Sequence, residues 1–258
     1  MQNTSISIPT FEELQPYASS TKPFSLLRQV CGLLISSSSN VEIYCGTIVE
    51  LRRLRKFHYD VFISMLDSFI KKISMIIEFS QEEVQVLASV IFVKELLSDY
   101  APILSPCLEY LIPAVLKTSI SANEDIKEES YNCLNMIANN MLFITAYGAL
   151  AAVILESSKK EIIQNAMQTM RSLLYNWEIQ DFLETVYQDY VLFTTFIFDI
   201  YNKYNDVGFA MLKMIHDKIG QENFDILCKL SKEIEDTFEL IMNVKKTHIV
   251  KTQKSINA

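Results

Sequence analysis

Apolar side chains recur along most of this chain every third or fourth residue, and short polar stretches interrupt them at near-regular intervals. The clearest block is residues 81–139. Residues 84–100 read as one helix, apolar on several sides and therefore an inner one. Pro102 and Pro106 mark a turn, residues 107–120 form a second helix, 121–125 a polar loop, and 126–139 a third helix. Upstream, helices are predicted over residues 24–35 and 41–56, on either side of the serine-rich loop 36–40. Ile48, Leu51 and Leu54 give the second of these its stripe. Residues 59–77 are predicted as one helix with Phe62, Leu66, Phe69, Ile73 and Ile76 on one face. Ser80 with Glu83 three residues later has the form of a capping box. Downstream, residues 144–155 pair with 162–177 and 182–201 with 207–219. Residues 224–232 and 234–246 close the pattern.

The polar loops fall near Ser38, Gln81, Asn123, Ser158 and Asn205, a spacing of about 40 residues with two helices per unit. That is the signature of HEAT-type repeats. The expected fold is all-α, an α-α superhelix (solenoid) of about six helical pairs, since one pair cannot bury its apolar faces alone. The pattern predicts one domain over residues 24–246. A loosely held leader over 1–23 precedes it, with Phe11, Leu14 and Tyr17 as the residues able to dock. A basic tail over 247–258 follows it. Stacking the pairs sets the loops within them along one edge, the geometric candidate for binding a partner.

Composition narrows the function. The chain has 5 glycines and 6 prolines, and no proline beyond Pro113, so nothing later forbids helix. A net charge of -8 opposes general nucleic-acid binding. Cys31, Cys45, Cys107, Cys133 and Cys228 are scattered through helical segments without Cys-x-x-Cys spacing, as reduced, buried thiols of a cytosolic protein are. The opening stretch lacks a basic region followed by an apolar one, so no secretion signal is expected. The longest uncharged apolar run, residues 141–155, is shorter than the ~20 residues a membrane span needs. It reads as a buried core helix.

Candidate chemistry is sparse. His58, His216 and His248 are single and far apart, which gives no metal-ligand spacing. Phosphate loops, nucleophile elbows and Cys–His pairings are missing from the sequence, so no enzyme, cofactor or metal is expected. Trp177 follows Leu173 and Leu174 at a helix end and is assigned to the core. Arg52, Arg53, Arg55 and Lys56 are assigned to salt bridges on a solvated surface. Lys159 and Lys160 sit at a helix start, either as solvated charges or as a partner contact; their position against the helix dipole makes a purely structural role slightly less natural. The basic stretch 245–254 is able to touch an acidic surface.

Three stretches carry a family resemblance. Residues 40–61, NVEIYCGTIVELRRLRKFHYDV, with Leu51-Arg52-Arg53-Leu54 and then His58, resemble the first repeat of a TOG domain. Residues 84–96, VQVLASVIFVKEL, are similar to the second. Residues 123–140, NEDIKEESYNCLNMIANN, resemble the third, closest in flavour to the CLASP and crescerin branch. The match over residues 141–246 is architectural only. The resemblance implies a tubulin-binding module that works by stoichiometric binding at the cytoskeleton (microtubule, spindle or cilium). Its surface would comprise Asn40, Val41 and Ile43; Glu82, Val84 and Ala88; Asp125, Ile126 and Lys127; Ser158, Lys159 and Lys160; and Lys203, Asn205 and Asp206.

Two positions depart from that pattern. Val41 stands near where the family carries a tryptophan, and Ala88 stands in place of its arginine. An aromatic anchor and an arginine are the residue types that dominate interfaces. Glu82, Glu83, Glu124 and Asp125 would also meet acidic tubulin with like charge. Two readings therefore stand: a TOG-like module for αβ-tubulin, working as an oligomer or on an adaptor partner, and a divergent HEAT scaffold that binds another protein.

Overall fold

The computed structural model describes residues 9–18, 22–36, 40–178, 203 and 205–230. The predicted elements over 182–201 and 234–246, and the tail 247–258, lie outside the described residues. All described elements are helical. They are α1 (Pro23–Ser36), α2 (Val41–Phe57), α3 (Tyr59–Ile63), α4 (Leu66–Phe79), α5 (Glu83–Tyr100), a 3-10 segment (Ala101–Cys107), α6 (Leu108–Thr118), α7 (Glu124–Asn140), α8 (Phe143–Glu156), α9 (Lys160–Asn176) and α10 (Asn205–Leu230). Each packs against near neighbours in sequence, the α-α arrangement of a helical repeat.

The helix ends follow from local chemistry. Pro23 opens α1, where a missing N–H costs nothing. The Asn40 side chain accepts from the Ile43 amide at 3.1 Å and caps α2. Asn123 accepts from the Asp125 and Ile126 amides and caps α7. The helix predicted over 59–77 is broken in two. Ser64 Oγ donates to the Val61 carbonyl at 2.7 Å, and the Met65 amide turns to Phe62 instead. The break lets Phe62 and Phe69 touch each other and both reach Phe92, with centroids 4.9 to 6.3 Å apart. Ser80 ends α4 rather than closing a box with Glu83. Its Oγ accepts from the Glu82 amide and donates to Gln85.

The chain divides into two compact units, Met1–Met141 and Leu142–Ala258.

In the first unit α1 packs on α2, α4 on α5 and α6 on α7, and these pairs stack in two layers. The inner layer is α2, α5 and α7; α4 and α6 lie in the other. Contacts along the inner layer keep a similar register, and three of them share one offset. Arg52 meets Glu95, Cys133 meets the Val90 carbonyl and Asn140 meets the Leu97 carbonyl, each across 43 residues. In the other layer Cys107 meets Asp67 across 40 residues and Lys117 meets the Glu78 carbonyl across 39. A near-constant offset means that the helices of a layer run parallel, so their N-termini share one end. α5 is buried on several sides (Val86, Ala88, Val90, Phe92, Val93, Leu96 and Leu97), as predicted for an inner helix.

In the second unit α8 packs on α9 and α9 on α10. The apolar run is α8, with Phe143, Ala146, Tyr147, Leu150, Ala151 and Ile154 fully buried. Trp177 is half-buried and edges onto Phe143 at 5.2 Å. Lys218 Nζ donates to the Tyr175 carbonyl at 2.7 Å across 43 residues, so a similar register recurs here. α10 is broken at Gly220, whose φ of 76° is left-handed. Among the described residues, no helix is long and apolar enough to cross a membrane.

Candidate functional site

In the first unit the parallel inner layer brings the N-termini of α2, α5 and α7 to one edge, with Asn40, Glu82 and Asn123 at the three starts. The second and third starts are tied together: Asn123 Nδ2 donates to Glu83 Oε2 at 2.8 Å. Between them lies a cleft of about 230 Å³ with Ile77, Val86 and Ile126 in its lining and Glu83 and Lys117 beside them. Lys117 Nζ reaches the Glu78 carbonyl at 2.5 Å and sits 4.9 Å from the Phe79 ring. A second depression of about 360 Å³ is lined by Lys72, Met75, Phe79, Gln81 and Glu82.

The edge mixes exposed apolar side chains with acids. Ile43, Val84, Met75 and Phe79 are exposed, Phe79 to 62%. Glu82, Glu83, Glu124 and Asp125 are exposed beside them. Carboxylates in a first helical turn favour the helix dipole whatever else they do. Lys127 is drawn to Glu124 at 3.3 Å.

The residues implied by the resemblance divide. Asn40, Ile43, Glu82, Val84 and Asp125 are exposed at the edge, and Val41 and Lys127 are half-buried there. Ala88 and Ile126 are not surface residues, at 1% and 2% exposure. Ile126 instead lines the cleft, its amide held by the Asn123 side chain. In the second unit Ser158, Lys159 and Lys160 are exposed at the start of α9, where the Lys159 amide donates to Ser157 Oγ. Lys203 donates to the Leu155 carbonyl, Asn205 opens α10 and Asp206 is exposed.

Sequence reasoning missed Met75 and Phe79. The signal was present: both fall off the Leu66–Phe69–Ile73–Ile76 stripe, four residues apart on one face. It also set Arg52 and Arg55 on a solvated surface, whereas they are 2% and 4% exposed. The expected salt bridges are there. Glu95 takes Arg52 in a two-pronged contact at 2.6 and 3.0 Å and Arg55 at 3.1 Å, and Asp99 takes Arg55 as well. Two charges buried without partners would be costly, so these pairings are what allow arginine in the interior.

The thiols of Cys31, Cys45, Cys107 and Cys133 are free and buried; the side chain of Cys228 lies outside the described residues. Burial, with Asp67 close by, pushes the Cys107 thiol up to about 11. No group of His, Cys, Asp and Glu able to hold a metal occurs among the described residues. No protein-family model and no curated protein matches the chain.

Proposed function

We propose that the chain is a helical-repeat interaction scaffold whose first-unit loop edge receives another protein presenting apolar side chains among basic ones. One observation carries this reading. Ile43, Val84 and Phe79 stand exposed on the edge that also bears Glu82, Glu83, Glu124 and Asp125. Lys127 is paired with Glu124 and Lys117 reaches the Glu78 carbonyl, so the acids set the balance around these apolar groups and select partners of the opposite sign. No bond-making chemistry is assigned to the chain.

The resemblance to TOG domains supplies the second reading, αβ-tubulin as partner, and one observation favours it: the exposed Ser158, Lys159 and Lys160 at the start of α9. Against it stand the edge carboxylates and the buried Ala88, where the family places an arginine.

Two amphipathic helical peptides of equal apolar content, one lysine-rich and one glutamate-rich, separate the readings when titrated against the full chain by fluorescence anisotropy. The scaffold reading expects tighter binding of the lysine-rich peptide, weakened by Glu82→Lys and by Phe79→Ser. Equal affinity for both peptides overturns it. Co-elution with soluble αβ-tubulin that is abolished by Lys159→Glu/Lys160→Glu would establish the second reading instead.

A further inference from the structure

Residues 9–17 lie against α2, and the helix grips them mainly by their backbone. Arg52 Nη1 donates to the Pro9 carbonyl at 2.6 Å. Lys56 Nζ sits among three carbonyls, those of Phe11 at 2.8 Å and of Glu12 and Leu14 at 3.1 Å. Arg53 reaches the carbonyls of Gln15 at 3.1 Å and Pro16 at 3.3 Å. A turn over residues 11–13 aims the first of these at Lys56, and the Glu13 carboxylate caps it by accepting the Thr10 amide at 2.7 Å.

Three side chains add selectivity. Leu14 is 5% exposed. The Phe11 ring lies 4.4 Å from the Arg55 guanidinium and 5.4 Å from the Lys56 ammonium. Tyr17 carries Arg53 on its face at 4.0 Å, stacks on His58 and donates its hydroxyl to Glu50 at 2.8 Å.

We propose that this face of α2 is a peptide-binding groove, filled here by the chain's own residues 9–17. It accepts in exchange a segment of another protein with an aromatic residue, an acid two positions on, a leucine three on and a tyrosine six on. Backbone carbonyls are common to every peptide, so the main grip transfers to any segment that can make the same turn. Arg52 explains why the event is an exchange. Its Nε and Nη2 are committed to Glu95, and its buried Nη1 needs a carbonyl from whatever fills the groove. Glu12 and Glu13 are exposed in a stretch whose carbonyls take Lys56 and Arg53, so an acidic segment is favoured over a basic one. A tethered occupant competes at high effective concentration, which keeps the site closed to weak ligands. This surface is separate from the loop edge and stands whether or not that edge binds a protein.

The test uses a fluorescein-labelled peptide of residues 7–18 and the full chain, read by anisotropy. Phe11→Ser/Leu14→Ser in the chain weakens the resident segment. It should raise affinity for the added peptide at least about tenfold over wild type, and Lys56→Met in the same background should take about tenfold away. A helical, folded Phe11→Ser/Leu14→Ser chain that binds no better than wild type overturns the proposal. Hydrogen exchange on the wild-type chain tests the same exchange without those substitutions. Excess unlabelled peptide should deprotect the Thr10 and Leu14 amides, which are bonded within the seated turn of residues 9–17, and leave α2 protected. Unchanged protection of these amides overturns it equally.

Discussion

The two layers of the first unit are joined by different means. α4 packs on α6, and both bury apolar stripes, Phe69, Ile70 and Ile73 on the first and Leu108, Leu111 and Val115 on the second. Polar contacts across this layer are peripheral: Asp67 with Cys107, Lys71 over Tyr110, and Lys117 with Glu78. α2, α5 and α7 bury apolar residues too, but a polar ladder runs between them. Tyr44 meets Ser89, Arg52 and Arg55 meet Glu95 and Asp99, Lys94 meets Glu129, and Asn140 meets the Leu97 carbonyl. Apolar burial is strong and indifferent to register. Directed pairs add less net energy but are satisfied in one alignment only. The apolar layer therefore supplies adhesion and the polar layer supplies alignment.

The largest losses should come from emptying the apolar core and from stranding the buried arginines. Phe69→Ala empties the contact with Phe62 and Phe92 and should lose about 3–5 kcal/mol in urea unfolding, with an unchanged slope. Glu95→Ala should cost a similar 3–5 kcal/mol or so for a different reason, since it leaves Arg52 and Arg55 buried with less to hold. The triple variant Arg52→Met/Arg55→Met/Glu95→Leu sharpens the contrast. If the ladder aligns more than it adheres, this chain should be within about 1 kcal/mol of wild type or more stable. Equal loss in the single and triple variants would refute that division of labour.

Smaller effects test single rungs. Ser89 Oγ donates to the Gln85 carbonyl, so Tyr44 is the donor to Ser89, and Tyr44→Phe should cost about 1 kcal/mol. The smallest effect belongs to His216. Gln221 at 3.0 Å and Asp217 at 3.2 Å hold its charged form and raise its pKa above the ordinary 6.5. A pKa raised by folding adds stability that is full below the ordinary value and is lost as pH climbs through the raised one. Urea unfolding at mildly acidic pH should therefore show a gain of less than about 1 kcal/mol relative to pH 8 or so, and His216→Gln should remove the difference.

Helix grammar was legible because it rests on local periodicity and caps. α2 begins at Val41 as predicted, behind its Asn40 cap, whereas α7 begins at Glu124, two residues before the predicted start, because Asn123 caps it. The bend at Ser64 was not legible, because a serine hydroxyl competing for one carbonyl leaves no mark on the apolar stripe. Residue type misplaced Arg52 and Arg55, whose burial depends on acids some 40 positions away. For the edge, spacing located the loops, and the family pattern named the residues. Of these, Ile43, Glu82 and Val84 are exposed, whereas helix phase buries Ala88 and Ile126. Phe11, Leu14 and Tyr17 were marked as docking residues by their apolar character, but the carbonyl contacts that hold their backbone have no sequence signal.

The near-constant register has a consequence for how such a chain can change in length. A stack of parallel pairs invites duplication or loss of whole units, because every junction offers the same geometry. Here the junctions are not alike. A further 43 residues beyond Glu95, α7 presents Ala138, buried and without an acceptor. Splicing out the pair that carries Glu95 and Asp99 would set α2 against α7 with both arginines facing no acid at that level. The acidic pair on α5 thus works as a key cut for one lock. The units share a shape, yet their order in the stack is written into the charges between them.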